Sequence, residues 1–383
     1  MNGKYAVMGR GGPAGRSGMF AYVGCYTTPQ RQGHGEGIGV FRVDPLSAEW
    51  TRVQLVGGLV NPSFLGLDQT GRFLYSVHGD AEQLTAFRID EVTGELELVN
   101  QVPIGGRNGV HLAVDPTNRF LVTANYGSGK AAVFPIQADG SLAPYSDLVP
   151  LPGIPGPNKL EQAFSHPHHI PFDRSGRFII IPDKGLDKVF VYRLDGGTGR
   201  LAANDPPAVT ARPGACPRHV VFSPDNRYAY VNNEVHSSIT VYRFDDQCGR
   251  LEPLQEVPTV PADFGGDNKS AEIVVALDGR FVYCSNRGHD SIIIYGIDQA
   301  TGLLTLVGWE PSRGKTPRFI ALDPGGDILY AANQDSDSIV AFRADRQTGR
   351  LTSAGQVIET GSPSCIVFSG GQAALQPPPA LHP

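Results

Sequence analysis

Residues 215–245 read ACPRHVVFSPDNRYAYVNNEVHSSITVYRFD, three apolar runs separated by two polar stretches. Short runs rich in Val, Tyr and Phe between turn residues predict β-strands, and Asp-Asn between the first two predicts a tight hairpin. The last run ends in an aromatic residue followed by a polar turn, and that phrase recurs along the chain. It appears as IGVFRVD, LTAFRID, AAVFPIQ, VFVYRLD, ITVYRFD, IIIYGID and IVAFRAD, usually with a Gly-x-Leu after it. The aromatic positions are Phe41, Phe87, Phe134, Tyr192, Tyr242, Tyr295 and Phe342, so the steps are 46, 47, 58, 50, 53 and 47 residues. Such a period suits a four-stranded blade.

An earlier phrase in each unit is a hairpin: LDQTGRFLYSV, VDPTNRFLVTA, FDRSGRFIIIP, FSPDNRYAYVN, ALDGRFVYCS and LDPGGDILYAA. Six copies are complete and the seventh is split, with SPSCIVF near the C-terminus supplying its first strand and FAYVGCYTT near the N-terminus its second. A blade assembled from both ends closes the ring and removes free sheet edges. The sequence is therefore expected to be all-β, a seven-bladed β-propeller over residues 19–370. Residues 1–18 read as a flexible extension and 371–383 as a disordered tail.

Bulk composition narrows the function. Among 383 residues, 40% are hydrophobic and 18% charged, with 47 Gly and 31 Pro, which suits many short strands and turns. A formal net charge of −6 gives no electrostatic reason to expect nucleic acid or an anionic membrane as a partner. Five cysteines without CxxC spacing suggest neither a disulfide framework nor a zinc site, and a reducing, cytoplasmic setting is expected. No run approaches a membrane span, and the N-terminus lacks a secretory h-region. Nothing visible sets the oligomeric state; a closed ring is compatible with a monomer.

Registering the units on the hairpin arginine gathers unusual residues at one mouth of the channel. The starts of the inner strands form a ring of Ser63, Val110, His168, Arg218, Ala271, Arg318 and Ser364. The next residues form a second ring of Phe64, His111, His169, His219, Glu272, Phe319 and Cys365. A third ring, seven residues after the hairpin arginine, holds Gly79, Tyr126, Lys184, Glu234, Arg287 and Gln334. A single Arg or Glu at a strand end is ordinarily a solvated rim residue, and Arg72, Arg119, Arg177, Arg227 and Arg280 at the hairpin turns are read as architecture. The mouth as a set is different, because Lys184, Arg218, Arg287, Arg318, Glu234, Glu272 and His168 would share a narrow opening. Convergent ionisable groups in a concavity are the default binding-site expectation.

Several arginines fit a small anionic ligand, since a guanidinium offers forked donors to carboxylate or phosphate. No metal is expected: the acids are interleaved with arginines, and HPHH at 166–169 lacks an obvious carboxylate ligand. No GxSxG elbow appears, and Cys216 has no convincing base, so nucleophilic catalysis is disfavoured. General acid–base work remains, with arginines stabilising an oxyanion. His168 is the preferred proton carrier because imidazole titrates near neutral pH, and Glu234, depressed by its arginines, would hold water, imidazole or a substrate hydroxyl. These two roles are exchangeable.

The segments HPHHIPFD, CPRHVVFSPDNRYAYVNNE, AEIVVALDGRFVYCSNRGHDSI and TPRFIALDPGGDILYAANQDSDSIVAF, with NPSFLGLD and ANYGSG, resemble the seven-bladed propeller lactonases. That family includes propeller-type 6-phosphogluconolactonases and the fungal carboxymuconate lactonizing enzymes. The resemblance covers about residues 19–370. It implies that His168, Arg218, Glu234 and Arg287 match the family's proposed active-site set, that Glu272 and Arg318 match positions beside it, and that no cofactor is used. His78 and Gly79 stand where many relatives have Asn-Glu, and Lys184 where many have an apolar residue. The expected activity is hydrolysis of a sugar-acid lactone, foremost 6-phosphogluconolactone, with Arg318 and Lys184 as phosphate partners and His111, Tyr126, Glu272 and Gln334 completing the substrate site. The competing expectations are a muconate-type lactonizing cycloisomerase and a non-catalytic ligand-binding propeller.

Overall fold

The computed structural model describes residues 18–44 and 47–370. The expected tail at 371–383 and the extension up to residue 17 lie outside the described residues. The rest folds as seven antiparallel sheets arranged in a ring. In chain order the first blade begins at Phe64–Leu67, the second at Gly109–Val114, the fourth at Pro217–Phe222, the fifth at Lys269–Val275 and the sixth at Pro317–Leu322. The seventh joins the two ends of the fold. Pro363–Ser369 is its inner strand and pairs with Met19–Cys25, which continues to Gly37–Val43 and Trp50–Gly57. This is the closure expected from the split seventh unit.

The inner hairpins are set by short polar side chains. Asp68 Oδ1 accepts from the backbone N–H groups of Arg72 and Phe73 at 2.7 and 2.8 Å, and Asp115 does the same for Arg119 and Phe120 at 2.7 Å each. Such a local acceptor satisfies turn donors that no strand can reach. The hairpin arginines lie over the aromatic residue that follows them: Arg72 on Phe73, Arg119 on Phe120, Arg227 on Tyr228 and Arg280 on Phe281, at 5.4–5.8 Å. They are architecture, far from the mouth.

Seven apolar clusters hold the ring, each shared between adjacent blades. Phe178, Ile180 and Val191 of the third blade, for example, pack on Val220, Phe222 and Tyr242 of the fourth. Fully burying a side chain of this kind contributes about 1.5–3 kcal/mol relative to exposure, so these inter-blade layers, rather than the turns, dominate stability.

Two irregularities shape the mouth. The third blade has three regular strands, Ile179–Asp183, Lys188–Asp195 and Arg200–Thr210, and its innermost stretch pairs only through isolated bridges at Pro167–Asp183 and Phe172–Ile179. Pro167 and Pro171 carry no backbone donor, which is why an expected strand is broken here. In the second, fourth, fifth and sixth blades the inner strand begins with a bulge: the register shifts between Gly109 and His111, Pro217 and His219, Ser270 and Ile273, and Pro317 and Phe319. In a regular strand consecutive side chains face opposite ways, but a bulged residue is unpaired and re-aimed. This lets Arg218 and His219, or Arg318 and Phe319, both turn toward the channel.

Candidate active site

Glu234 follows the strand Tyr228–Asn233 and is fixed by its own backbone. Its N–H donates to Cys216 O at 2.8 Å, and its carbonyl accepts from Ser270 N–H at 3.0 Å. Its carboxylate is buried among cations. Oε1 accepts from Lys184 Nζ at 2.8 Å; Oε2 lies 3.1 Å from Arg218 Nε and 3.3 Å from Arg287 Nη2. The Arg218 contact is ionic rather than an aligned hydrogen bond, and its Nη1 donates to Ala271 O. Asn232 holds the bulge that aims Arg218, its Oδ1 accepting from His219 N–H at 2.9 Å and its Nδ2 donating to Ala271 O at 3.0 Å.

Burial alone would raise the Glu234 pKa, but Lys184, Arg287 and Arg218 together hold it well below the ordinary carboxylate range. Glu234 is therefore ionised and a poor base. Arg218 is pushed down to about 10 by burial and by Arg287, yet stays charged at neutral pH.

The three histidines of HPHH separate cleanly. His166 stacks on Tyr126 at 4.3 Å, and its Nδ1–H donates to Tyr126 O at 3.1 Å. His169 stacks on His219 at 4.2 Å inside the channel, and its Nδ1 accepts from Val220 N–H. His168 lies between these groups, 5.6 Å from the Tyr126 ring and 5.1 Å from that of His219, and its buried Nδ1 has no partner. Asp183 anchors the segment, accepting from His166 N–H at 2.8 Å and from Ser165 Oγ at 2.5 Å. Burial, reinforced by Arg218 and His219, drives the His168 pKa well below 6.5, so the near-neutral titration expected from sequence is corrected downward. The imidazole is neutral at pH 7.

A second group of the expected residues lies in the channel stack. His111 meets His169 at 3.9 Å between ring centroids, and its Nδ1 accepts from Ile170 N–H. Glu272 Oε1 sits 2.9 Å from His219 Nδ1 and accepts from Ile273 N–H. Burial raises Glu272 to about 8 despite Arg218, so it keeps its proton at neutral pH. Arg318 stands over the Tyr26 ring at 5.1 Å and bears electrostatically on Arg218, Arg287 and His168. Gln334 bonds to Asp335 and touches none of the Glu234 cations.

Lys184 differs from expectation. Rather than offering a free ammonium, it is buried and holds two carboxylates, Glu234 and Glu161, the latter at 2.6 Å. Glu161 also takes Lys269 Nζ at 2.6 Å. Neither Glu161 nor Lys269 was singled out in the sequence. The available signal was the 58-residue step between Phe134 and Tyr192, whose surplus includes the loop at 151–166.

Other reactive groups fall away. Burial pushes the Cys216 thiol up to about 12 and Cys25 up to about 11, so neither supplies a thiolate. Cys25 lines a cavity of about 60 Å³ with His34, Glu36 and Arg52, apart from the mouth. Among the described residues no group of three His, Cys, Asp or Glu side chains could hold a metal ion, and no helix is long and apolar enough to cross a membrane.

This ring of seven sheets with a buried cation cluster at one mouth belongs to the seven-bladed β-propeller lactonase family, whose profile matches residues 20–368. The chain is 34% identical to a 6-phosphogluconolactonase of Bacillus subtilis over 80% of this chain and 85% of that one. It is 33% identical to a 6-phosphogluconolactonase of Formosa agariphila over 80% and 87%. Among solved structures, the periplasmic gluconolactonase of Pseudomonas aeruginosa superposes with a TM-score of 0.83 at 32% identity, covering 91% of this chain and 99% of that one.

Proposed function

We propose that this protein hydrolyses the lactone ring of a sugar acid, with 6-phosphogluconolactone, converted to 6-phosphogluconate, as its substrate. The observation that carries the reading is the neutral, buried His168 with an unpartnered Nδ1 beside the Glu234 carboxylate and the three cations that surround it, Arg218, Arg287 and Lys184. The names of the 33–34% identical relatives support the choice of substrate.

In this reading His168 takes a proton from water as the water oxygen attacks the lactone carbonyl carbon. The oxyanion that forms faces Arg218 and Arg287, whose donors are already buried and oriented. Removing one such donor typically costs about 10²–10³ in rate. The bond from the carbonyl carbon to the ring oxygen then breaks and the imidazolium returns its proton to the leaving alkoxide, giving a hydroxyl and a carboxylic acid, which releases its proton to solvent as the carboxylate. Glu234 is assigned as the carboxylate that holds the arginines and Lys184 in place, because both its oxygens are already engaged by those cations whereas His168 Nδ1 has no partner. This reading gives the role of base to His168 and that of organiser to Glu234.

The test is hydrolysis of phosphorylated and unphosphorylated aldonolactones, each measured above its spontaneous rate. Turnover of the phospholactone is expected. Turnover of carboxymuconate without any lactone hydrolysis would replace this reading with a cycloisomerase.

A further inference from the structure

The loop at 151–166 reaches the mouth, where Gln162 and Glu161 meet Lys184. Gln162 secures it from below: its Nε2 donates to Lys184 O at 3.0 Å, and its Oε1 accepts from Asn158 N–H at 3.0 Å. Gly156 N–H reaches Gly185 O at 2.9 Å. The backbone is therefore tied down beside Glu161, while Leu160 is 97% exposed. The Glu161 side chain reaches into the mouth and spends one oxygen on each of two lysines, Lys184 and Lys269, at 2.6 Å each. Lys184 joins this fork to Glu234 and so to Arg218 and Arg287.

Four cations, Lys184, Lys269, Arg218 and Arg287, thus share two carboxylates, Glu161 and Glu234, which leaves the connected cluster with two positive charges in excess. Burying uncompensated charge is costly, and an anionic ligand relieves it. The Lys184–Lys269 fork already has an oxyanion seated in it, supplied by the chain itself. The Lys269 side chain is 44% exposed and that of Glu161 22%, so the fork is reachable from solvent, whereas Glu234 at 5% is not. Because Gln162 carries the backbone load, Glu161 can leave the fork by a change of side-chain rotamer, and the two 2.6 Å contacts it gives up are remade by the incoming anion.

We propose that Lys184 and Lys269 form a second anion subsite, filled by Glu161 in the free protein and taken over by the remote anionic group of the lactone when substrate binds. The inference rests on the lactonase reading and deepens it. A dianionic phosphate ester in place of one carboxylate supplies an additional negative charge against the excess, and a substrate carboxylate would replace Glu161 charge for charge. A lactone with no anionic group leaves Glu161 in the fork. The arrangement selects by charge, at a distance of one lysine from Glu234.

The test uses Lys269→Met and Glu161→Gln, with 6-phosphogluconolactone, gluconolactone and a glucaric acid lactone as phosphate, neutral and carboxylate arms. Lys269→Met is expected to raise KM for the phospholactone about tenfold, the equivalent of one charge-assisted contact. Its kcat should stay within about twofold, and KM for neutral gluconolactone should not move. Glu161→Gln should lower KM for the charged lactones. A larger Lys269→Met effect on the phosphate arm than on the carboxylate arm identifies a phosphate subsite, and the reverse a carboxylate subsite. Equal changes for charged and neutral lactones, or none, would overturn the proposal. Inorganic phosphate binding, measured by calorimetry in both variants and the parent, separates the two levels. Absence of lactone turnover in the parent would defeat the lactonase reading, whereas phosphate affinity unchanged by Lys269→Met and by Glu161→Gln defeats the subsite.

Discussion

Arg218 and Glu234, sixteen residues apart in sequence, meet at one mouth with Nε 3.1 Å from Oε2. The hairpin between them folds the strand Pro217–Phe222 back against Tyr228–Asn233, and the bulge at Arg218 turns its side chain toward the carboxylate. A contact that looks like two rim charges in one dimension is a buried ion pair in three.

Breaking that pair has two readouts. Glu234→Gln leaves Lys184, Arg218 and Arg287 without their shared carboxylate, and removing one partner from a buried ionic cluster costs about 3–5 kcal/mol. The variant should unfold at lower denaturant concentration and hydrolyse lactone about 10²-fold more slowly, because the arginines lose their orientation. Denaturant titration and initial rates measure both.

His168→Ala should share the loss of rate but not the loss of stability. It removes a buried imidazole whose Nδ1 has no partner, so little ion-pair energy is lost, yet loss of a general base costs about 10²–10⁴ in rate. The contrast between a slow but stable His168→Ala and a slow and unstable Glu234→Gln distinguishes base from organiser.

The fold was legible because its signals are repeated: seven aromatic phrases and six hairpins each restate one unit, and one split copy gives the closure. The mouth was legible as positions in a register, which brought Arg218, Glu234, Arg287, Lys184 and His168 to one face. Its pairings were not. That Lys184 is consumed by two carboxylates depends on Glu161, which lies in a non-repeating loop where no periodicity locates a side chain. That His111 and Glu272 belong to a channel stack depends on ring-to-ring distances that strand register does not encode. The third-blade break was visible in Pro167 and Pro171 only once their missing donors were set against the neighbouring strand.

Stability should peak between the histidine and Glu272 titrations. His111, His168, His169 and His219 all have folded pKa values well below 6.5, set mainly by burial. As pH falls through 6.5 the unfolded chain takes up protons that the folded one refuses, so stability is lost on the acid side, by up to about 1.4 kcal/mol per pH unit per group. Glu272 has the opposite sign. Its folded pKa is raised to about 8 from 4.5 by burial, so its contribution to stability is greatest below 4.5 and falls as pH rises toward 8. Denaturant midpoints from pH 5 to 9 should show both slopes, and Glu272→Gln should remove the alkaline one between about 7 and 8. A parent profile that rises through that window would contradict the assignment.

Inter-blade packing sets a further expectation. Gly249 has φ +72, and a Cβ there would lie 2.3 Å from the Phe178 ring of the preceding blade. Gly249→Ala combines left-handed strain with overpacking and should cost roughly 3 kcal/mol. Lactone turnover at low temperature should be nearly unchanged, since the turn is remote from the mouth.

The central claim is that His168 and Arg218 at this mouth carry lactone hydrolysis. The direct measurement is the rate of 6-phosphogluconolactone hydrolysis, above the spontaneous rate, in the parent, His168→Ala and Arg218→Ala proteins, each confirmed folded by circular dichroism. A loss of about 10² or more in kcat/KM in each variant is the expected result. Parental rates in both folded variants would contradict the account.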